Sequence, residues 1–208
     1  MTLALLEAGL DVVSVDASPE FVAHLVERVA SCAPDAVARV EVGDLHALRF
    51  PDRSFDGVVC GEVLEHLDDD AAALAEFTRV LSPGGLVVVS VPANPWRYDW
   101  VDAWAGHRRR YSVDDLETRM HGAGLVDVRV TPWGFPFTGL YHRHVYRPLL
   151  RRRLSRGATP PTGGGRASQV AGRGLRAIFE IDSAFKGRFP GWFGLIASAR
   201  RPPDTDAT

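Results

Sequence analysis

The stretch DVVSVDASPEF (residues 11–21) contains the pattern on which the predicted fold depends. Its first half is a short apolar run, which is typical of a β-strand buried on both faces of a parallel sheet. Ser18 then offers a side chain that can cap a helix, and Pro19 suits a first helical turn. The stretch therefore predicts a strand that ends at Asp16 and passes directly into a helix.

Strands and helices alternate along the rest of the chain. Helices are predicted at 68–81 and 112–122 from the spacing of their apolar residues. The alternation predicts an α/β fold with a doubly wound, mostly parallel sheet, in which the carboxyl ends of the strands share one edge. The further predicted strands are ARVEVGD (38–44), FDGVVCGEV (55–63), LVVVSVP (86–92), VDVRVTPW (126–133) and WFGLIASAR (192–200), the last of them open to an antiparallel direction.

Charge is distributed unevenly along the 208 residues. Residues 1–127 contain 22 acidic and 10 basic residues, whereas residues 128–179 contain ten arginines and no acid. The basic segment includes ATPPTGGGRASQ (158–169), which is too rich in Gly, Pro and Ser to pack well. We therefore predict one domain with an insertion. Its core is residues 1–134, followed by a basic insertion at 135–190 that contains a flexible linker at 155–172. A last core strand at 191–201 and a disordered tail at 202–208 complete the chain.

The two cysteines and the apolar runs indicate a cellular compartment. Cys32 and Cys60 lie far apart within helix and strand patterns, which fits a reducing environment. No secretory signal pattern is present, and no apolar run approaches the length of a membrane span. We expect a cytoplasmic protein.

Two acids at strand ends are candidates for nucleotide binding. Asp16 directly follows an apolar strand, where a carboxylate can accept hydrogen bonds from ribose hydroxyls. Asp44 and Leu45 repeat this arrangement one strand later, where a carboxylate can receive an adenine amino group. A helix cap or a turn aspartate would explain either acid equally well.

Three segments, in order and at matching spacing, resemble the class I S-adenosylmethionine-dependent methyltransferases. They are VDASPEFV (15–22), GDLHALRFPDRSFDGVVCGEVLEHLDD (43–69) and FTRVLSPGGLVVVSVP (77–92). The resemblance covers residues 1–134 and is most specific to the methyltransferase type 11 group, with its quinone-biosynthesis O-methyltransferases. It implies a Rossmann-like fold and the cofactor S-adenosylmethionine, bound by Asp16, Ala17, Asp44, Leu45, Cys60 and Gly61.

One part of that family's pattern is absent from the sequence. In the family, the helix that TLALLEAG (2–9) would complete follows a strand and a glycine-rich loop, and no Gly-x-Gly occurs before residue 11. We therefore expect a sheet that lacks its first strand, and with it ladder hydrogen bonds of both neighbours. Either the recorded start lies too far downstream, or the chain is a truncated product that would bind the cofactor weakly.

Glu62, Glu65 and His66 are spaced i, i+3 and i+4, so they would share one face if this segment were helical. One interpretation makes His66 a general base. Another makes all three residues ligands of a divalent metal such as Mg²⁺, which could acidify a hydroxyl nucleophile. A structural role for His66 and helix-start roles for the two acids are the alternative.

The segment NPWRYDWVDAWAGHRRRY (94–111) follows the fourth predicted strand and is rich in aromatic residues. An aromatic lid over an apolar or planar substrate is one interpretation. A helical stripe of Trp96, Trp100 and Trp104 packed on the domain is another. His107 and Arg108–Arg110 would suit an acidic substrate group, although a solvated basic turn is the favoured interpretation. The candidate substrate contacts are Trp96, Tyr98, Trp100, His107 and Tyr111.

The segment LYHRHVYRPLLRRRL (140–154) mixes aromatic, aliphatic and basic residues without an acid. A cap over the substrate pocket is the favoured interpretation, and peripheral contact of residues 140–156 with an anionic membrane is an alternative. Pro148 argues against a single helix. Nucleic-acid binding is disfavoured because no known motif is present and the rest of the protein is acidic.

From these patterns we predict methyl transfer from S-adenosylmethionine to a small or lipid-like acceptor, at oxygen. The methyl group of a sulfonium is already activated, so the protein mainly has to align the reactants and exclude water. Two other classes stay open. They are a non-catalytic module that keeps the methyltransferase scaffold, and a nicotinamide-dependent Rossmann enzyme, which Asp16 alone would permit.

Overall fold

In a computed structural model of the chain, the described residues are 1–35, 37–134, 136–156, 182 and 192–204. The chain divides into an N-terminal unit, Met1–Asp52, and a C-terminal unit, Arg53–Thr208, each with its own sheet. Most of the predicted linker at 155–172 and of the predicted tail at 202–208 lies outside the described residues.

The N-terminal unit is a small α/β layer. It consists of α1 (Thr2–Glu7), β1 (Val12–Asp16), α2 (Pro19–Cys32) and β2 (Ala38–Val42). The two strands are parallel, and Asp16 pairs with Val42 at their carboxyl ends. As predicted, α2 begins at Pro19, and the Ser18 hydroxyl accepts a hydrogen bond from the Phe21 amide at 3.2 Å.

The C-terminal unit contains a four-stranded mixed sheet in the order β3-β4-β6-β5. β3 pairs with β4 in parallel, whereas β6 runs antiparallel to both of its neighbours, as the sequence allowed for the last strand. Its regular elements are β3 (Phe55–Gly61), α3 (Asp70–Val80), β4 (Leu81–Pro92), α4 (Trp100–Ala105), α5 (Val113–Gly122), β5 (Val126–Trp133), α6 (Phe137–Tyr141), α7 (Arg147–Leu154) and β6 (Gly194–Arg200).

The predicted single sheet is therefore two hydrogen-bonded sheets. Across the described residues, β1 is bonded to β2 alone and β3 to β4 alone. The α/β class and the predicted strands agree with the structure, and the helices lie where the apolar periodicity places them.

Residues 82–85, whose sequence Ser-Pro-Gly-Gly is typical of a turn, form a bulge inside β4. Phe55 pairs with Leu81, but Gly57 pairs with Leu86, so the residues between them are extra on the β4 side. Gly85 fits this bulge because a Cβ there would lie 2.8 Å from the Ser82 carbonyl oxygen.

The core of the C-terminal unit forms where α3 and α5 meet the sheet. Apolar side chains from these elements are at most 1% exposed, which excludes water from the layer between helices and strands. They include Leu74, Phe77, Val87, Val89, Val91, Leu116, Met120 and Leu195.

Residues 137–154 of the basic segment form one helical run. α6 and α7 are joined without a break by a π-helical turn, His142–Tyr146, which ends two residues before Pro148 in the first turn of α7. Proline is tolerated in a first helical turn, and a π turn changes the hydrogen-bond register just before it, so Pro148 does not interrupt the run. Asp182 caps the run by accepting the Phe137 and Thr138 amides at 2.9 and 2.7 Å.

Candidate active site

The N-terminal unit brings its two candidate acids to the same edge of the sheet. Asp16 ends β1, and Asp44 follows β2 by two residues. The backbone is close-packed here: the Gly43 amide donates to the Asp16 carbonyl at 3.1 Å, and a Cβ on Gly43 would lie 2.7 Å from Val15 Cγ1. The carboxyl ends of two adjacent parallel strands therefore carry one carboxylate each.

Local hydrogen bonds orient both carboxylates, and each carboxylate accepts them through one of its two oxygens. Asp16 Oδ1 accepts the Ser18 amide at 2.8 Å. Asp44 Oδ1 accepts the His46 amide at 2.9 Å and faces His46 Nδ1 at 2.8 Å. These hydrogen bonds, the backbone one foremost, lower the pKa of Asp44, so it is ionised at neutral pH. Ala17 is exposed and Leu45 is half-buried beside these acids.

In the C-terminal unit, the candidate cofactor residues of β3, Cys60 and Gly61, can contact a ligand through their backbone rather than through side chains. Cys60 is buried, and burial, followed by the charges of Glu65 and Glu62, raises the pKa of its thiol to about 12. The thiol is therefore not a nucleophile. Gly61 is the last residue of β3, and the Glu62 amide extends the ladder by donating to the Ser90 carbonyl at 2.9 Å.

Glu62 does not share a helical face with Glu65 and His66, which corrects the expectation from their spacing. Glu62 has a left-handed φ of 53°, and only Leu64–His66 form a helix, a short 3₁₀ turn. The Glu62 carboxylate accepts a hydrogen bond from the Ser90 hydroxyl at 2.9 Å. Burial raises the pKa of Glu62 despite this bond.

Glu65 is fully buried, and neither of its carboxylate oxygens has a hydrogen-bond partner among the described residues. Burial, followed by the charge of Glu62, raises the pKa of Glu65 to about 7. A buried carboxylate without hydrogen bonds is costly, which agrees with the direction of this pKa shift.

Two histidines lie beside Glu65. The rings of His66 and His107 meet edge to face with centroids 4.8 Å apart. His66 Nδ1 lies 3.3 Å from the Gly106 carbonyl oxygen, and His107 Nδ1 lies 2.9 Å from Asp102 Oδ1. Burial, followed by the nearby His107, lowers the pKa of His66, which keeps its imidazole neutral at pH 7.

The sequence analysis did not identify Asp102, which organises this cluster. Its Oδ1 faces His107 and also accepts a hydrogen bond from Arg110 Nε at 2.8 Å. Its Oδ2 accepts a hydrogen bond from the Asp99 amide at 2.9 Å. Burial alone would raise the pKa of Asp102, but these hydrogen bonds outweigh burial and lower it to about 2. The spacing of Asp99 and Asp102, a capping box at the start of α4, was the available signal.

The aromatic segment does not form one continuous tryptophan stripe. Trp96 lies in a separate 3₁₀ turn, Pro95–Arg97, and is 75% exposed, whereas Trp100 begins α4. The guanidinium groups of Arg147 and Arg151 lie 5.8 and 5.1 Å from the Trp100 ring centroid. Trp100 therefore packs against α7.

Tyr98 is partly exposed and donates its hydroxyl to the His107 carbonyl at 2.7 Å. The predicted substrate contact of Tyr111 is wrong in this structure. Tyr111 is completely buried, and its hydroxyl donates to Asp70 Oδ2 at 2.6 Å. Burial and this bond raise its pKa, so Tyr111 is a neutral core residue.

The three consecutive arginines are not a solvated turn either. Arg108 pairs with Asp68 at 2.9 Å, and Arg110 is buried against Asp102. Arg109 pairs with Asp70 at 3.3 Å and donates to the Leu67 and Asp68 carbonyls. Arg108 and Arg109 join the segment after α4 to the start of α3, a tertiary role that local charge density does not reveal.

Comparison with known proteins shows which class of protein the chain resembles. Residues 1–89 match the family model described as a methyltransferase domain. A 2-methyl-6-phytyl-1,4-hydroquinone methyltransferase of Synechocystis is 30% identical over 69% of this chain and 48% of its own length. A malonyl-[acyl-carrier protein] O-methyltransferase of Halorhodospira halophila is 32% identical over 67% of this chain and 48% of its own.

The fold comparison agrees. Phosphoethanolamine N-methyltransferase 2 of Haemonchus contortus, in complex with S-adenosylmethionine, matches 97% of this chain and 45% of its own, with a TM-score of 0.64 and 20% identity. The chain is therefore similar in sequence and in fold to S-adenosylmethionine-dependent methyltransferases. It spans about half the length of the curated relatives it matches. No helix in the described ranges is both long and apolar enough to cross a bilayer.

Proposed function

We propose that the protein transfers a methyl group from S-adenosylmethionine to an oxygen of a small or lipid-like acceptor. The observation that carries this proposal is the pair of carboxylates, Asp16 and Asp44, at the ends of two adjacent parallel strands. An adenosine has hydrogen-bonding groups at both ends, its ribose diol and its adenine amine, and a carboxylate suits each. The matched methyltransferase segment, residues 1–89, contains both acids.

The residues present are compatible with this cofactor. Asp16 and Asp44 each bond locally through Oδ1, so the second oxygen of each can accept from a ligand. Ala17 and Leu45 would provide apolar contact beside them. In the other unit, Cys60 and Gly61 stay candidates from the family resemblance alone, through their backbone. When bound, S-adenosylmethionine supplies an activated methyl group, and the protein has to orient the acceptor and exclude water.

The acceptor hydroxyl needs a group that takes its proton. His66 remains the proposed base, because its imidazole is held neutral and is 39% exposed, within reach of an acceptor. If so, replacing His66 with Gln lowers turnover by about 10²-fold or more. S-adenosylhomocysteine affinity of the same variant should be unchanged, since His66 is assigned to the acceptor.

Calorimetric titration distinguishes the three functional classes. The methyltransferase proposal expects saturable binding of S-adenosylhomocysteine and none of NADH. Binding of NADH instead would identify a nicotinamide enzyme, and binding of neither would leave a module without a cofactor. Either of the latter two outcomes contradicts the proposal.

A lipid-like acceptor is supported by the surface of the helical run 137–154. Phe137, Leu140, Val145 and Leu149 are 43 to 51% exposed. Phe137, Val145 and Leu149 are eight and four residues apart, which is the spacing of one helical face. Arg143, Arg152 and Arg153 are also exposed in this run, and an anionic membrane surface complements both features. The Synechocystis relative is named for a phytylated hydroquinone, which is such an acceptor.

Co-sedimentation with lipid vesicles tests the membrane contact. The protein should bind vesicles containing 30% phosphatidylglycerol and should not bind pure phosphatidylcholine, with binding lost at high salt. A Val145→Ser, Leu149→Ser variant should lose binding, whereas Leu10→Ser, an equally exposed leucine of the N-terminal unit, should not. Equal binding by both variants would contradict membrane contact through this run, leaving the methyltransferase proposal intact.

A further inference from the structure

The helical run 137–154 packs against the segment that follows β4. Arg147 of the run pairs with Asp99 at 2.9 Å. Nearer the start of the run, a Cβ on Gly139 would lie 3.9 Å from Arg97 Nη2, so these two residues are neighbours. The segment begins at the carboxyl end of β4, and α/β sheets bind their ligands beside the carboxyl ends of their strands.

The Arg97 guanidinium is oriented by several contacts. Its Nη1 donates to the Trp192 carbonyl at 3.1 Å, and the same oxygen accepts from Asn94 Nδ2 at 2.7 Å. Its central carbon lies 5.3 Å from the centroid of the Trp96 ring. Arg97 is half-buried, and a guanidinium that is already oriented loses little conformational freedom when it binds a carboxylate or a phosphate.

Arg143 brings a second guanidinium towards Arg97. It follows Gly139 by four residues, and side chains at this spacing share a helix face. Burial, followed by the charges of Arg110 and Arg143, lowers the pKa of Arg97, which agrees with this proximity. Among the described residues no carboxylate pairs with Arg143, and residues 128–179 contain no acid. Its positive charge is therefore available to an anion.

His142 is a half-buried histidine whose ring nitrogens have no hydrogen-bond partner among the described residues. Its ring stacks on Tyr146 with centroids 5.3 Å apart, and the Phe193 ring centroid lies at 5.0 Å. The other two half-buried histidines, His46 and His107, each face an aspartate through Nδ1. Stacking therefore orients the His142 ring, and its nitrogens are left for a ligand.

The charges around His142 cancel in pairs. Burial, followed by the charges of Arg110 and Arg147, lowers the pKa of His142, and Asp99 and Asp102 oppose this shift. Arg147 pairs with Asp99 at 2.9 Å, and Arg110 pairs with Asp102 at 2.8 Å. The imidazole is neutral at pH 7 and can donate one N–H. Both nearby acids are engaged by other arginines, so neither neutralises the arginine that follows His142.

We propose that Arg97, Arg143 and His142 form a subsite that binds a carboxylate or phosphate group. The two guanidiniums would donate to the oxygens of the anion, and the imidazole would donate a further N–H. His142 and Arg143 begin the π turn of the run, and such turns are frequent at functional sites. The assignment of the anion to the methyl acceptor rests on the proposed function, whereas anion binding itself does not. The subsite selects an acceptor that carries an acidic group.

Titration of the full chain with inorganic phosphate and with benzoate, at constant ionic strength, tests the subsite. Proton NMR of the histidine rings follows binding, with His142 assigned from the His142→Phe variant. The His142 signals should shift saturably with at least one probe, and the pKa of His142 should rise on binding because an anion favours the imidazolium. The preferred probe identifies the class of anion. Absence of saturable binding of both probes overturns the proposal.

Arg143→Gln is the decisive variant, because this side chain is exposed and its replacement should not disturb folding, which circular dichroism checks. The variant should bind the preferred probe at least tenfold more weakly, through loss of a charge-assisted hydrogen bond. Arg129→Gln, an exposed arginine on β5 of the same unit, is the matched control and should bind as the parent does. Equal affinity of these two variants would contradict the subsite.

Two further measurements separate this inference from the proposals above. S-adenosylhomocysteine affinity should be unchanged in Arg143→Gln, and a parent protein that binds phosphate but not S-adenosylhomocysteine would keep the subsite and lose the proposed function. The Val145→Ser, Leu149→Ser variant should bind phosphate as the parent does. Loss of phosphate binding in that variant would assign the anion to the membrane-contact surface and overturn the subsite.

Discussion

The two units of the protein use their acidic residues differently. In the C-terminal unit, Asp70 and Asp102 are at most 2% exposed, and both are paired with arginines. In the N-terminal unit, Asp16 is half-buried and Asp44 is exposed, and among the described residues the carboxylates of both bond within their own turns. Buried, paired acids stabilise a fold, whereas accessible acids at strand ends can bind a ligand. Substitutions in the first group should therefore change stability, and those in the second should change cofactor affinity.

The C-terminal unit also has more buried apolar side chains than the N-terminal unit. Among the described residues of the N-terminal unit, only Leu6 and Val29 are buried apolar residues, whereas whole stretches of α3, β4 and β6 are buried in the C-terminal unit. All five tryptophans also lie in the C-terminal unit. Tryptophan fluorescence consequently reports on that unit, which allows the two to be monitored separately.

The largest effect is expected from Asp70→Asn. The change leaves Arg109 and Arg119 without their shared carboxylate. Removing one partner of a buried ion pair costs 3–5 kcal/mol, and the partial exposure of both arginines places this case near about 3 kcal/mol. Urea denaturation followed by tryptophan fluorescence measures the loss.

The control for this substitution is Asp68→Asn. Asp68 pairs with Arg108 but is 79% exposed, and exposed pairs contribute less than about 1 kcal/mol. Equal destabilisation by the two substitutions would contradict the structural role assigned to Asp70. S-adenosylhomocysteine affinity should be unchanged in either variant while it is folded.

A smaller effect is expected from adding a methyl group at tight glycines. A Cβ on Gly85 meets the Ser82 and Asp56 carbonyl oxygens, which are backbone, so Gly85→Ala should cost about 2–3 kcal/mol. A Cβ on Gly43 meets only the Val15 side chain, which can move, so Gly43→Ala should cost about 1 kcal/mol.

Thermal unfolding measured by far-ultraviolet circular dichroism covers both units. Gly122→Ala is the control, because a Cβ there has no neighbour within 4 Å. If Gly43→Ala destabilised the protein more than Gly85→Ala, the assignment of the looser packing to the N-terminal unit would be wrong.

An effect on stability smaller than that of Gly85→Ala, and similar to that of Gly43→Ala, is expected from Tyr111→Phe. This change removes one buried hydrogen bond to Asp70 and should cost about 1–1.5 kcal/mol. Methyl-transfer rate should be unaffected, since Tyr111 is in the core. A variant with normal stability and impaired turnover would restore Tyr111 as a substrate contact.

Local patterns predicted the elements of the fold well. The strand that ends at Asp16, its capped helix and the later strands are all encoded by apolar periodicity and turn residues within a few positions. The bulge at residues 82–85 was missed because Pro and Gly occur in turns and bulges alike, and only the register against β3 distinguishes them.

The candidate site was less predictable because it depends on tertiary contacts. Strand order alone places Asp16 and Asp44 on one edge, so sequence reasoning could identify both. The pairing of His107 with Asp102, and its approach to Glu65 across some forty residues of sequence, follows from how the segment after β4 folds back. The positive φ of Glu62 likewise breaks a helical spacing that appears regular in the sequence.

The central claim is that Asp16 and Asp44 bind the adenosine of the cofactor. Calorimetric titration of the parent, Asp16→Asn and Asp11→Asn with S-adenosylhomocysteine tests this most directly, with exposed Asp11 of the same unit as the control. A charge-assisted hydrogen bond contributes about 1.5–3 kcal/mol, so Asp16→Asn should weaken binding at least tenfold and Asp11→Asn should not. Equal affinity of all three proteins would contradict the account.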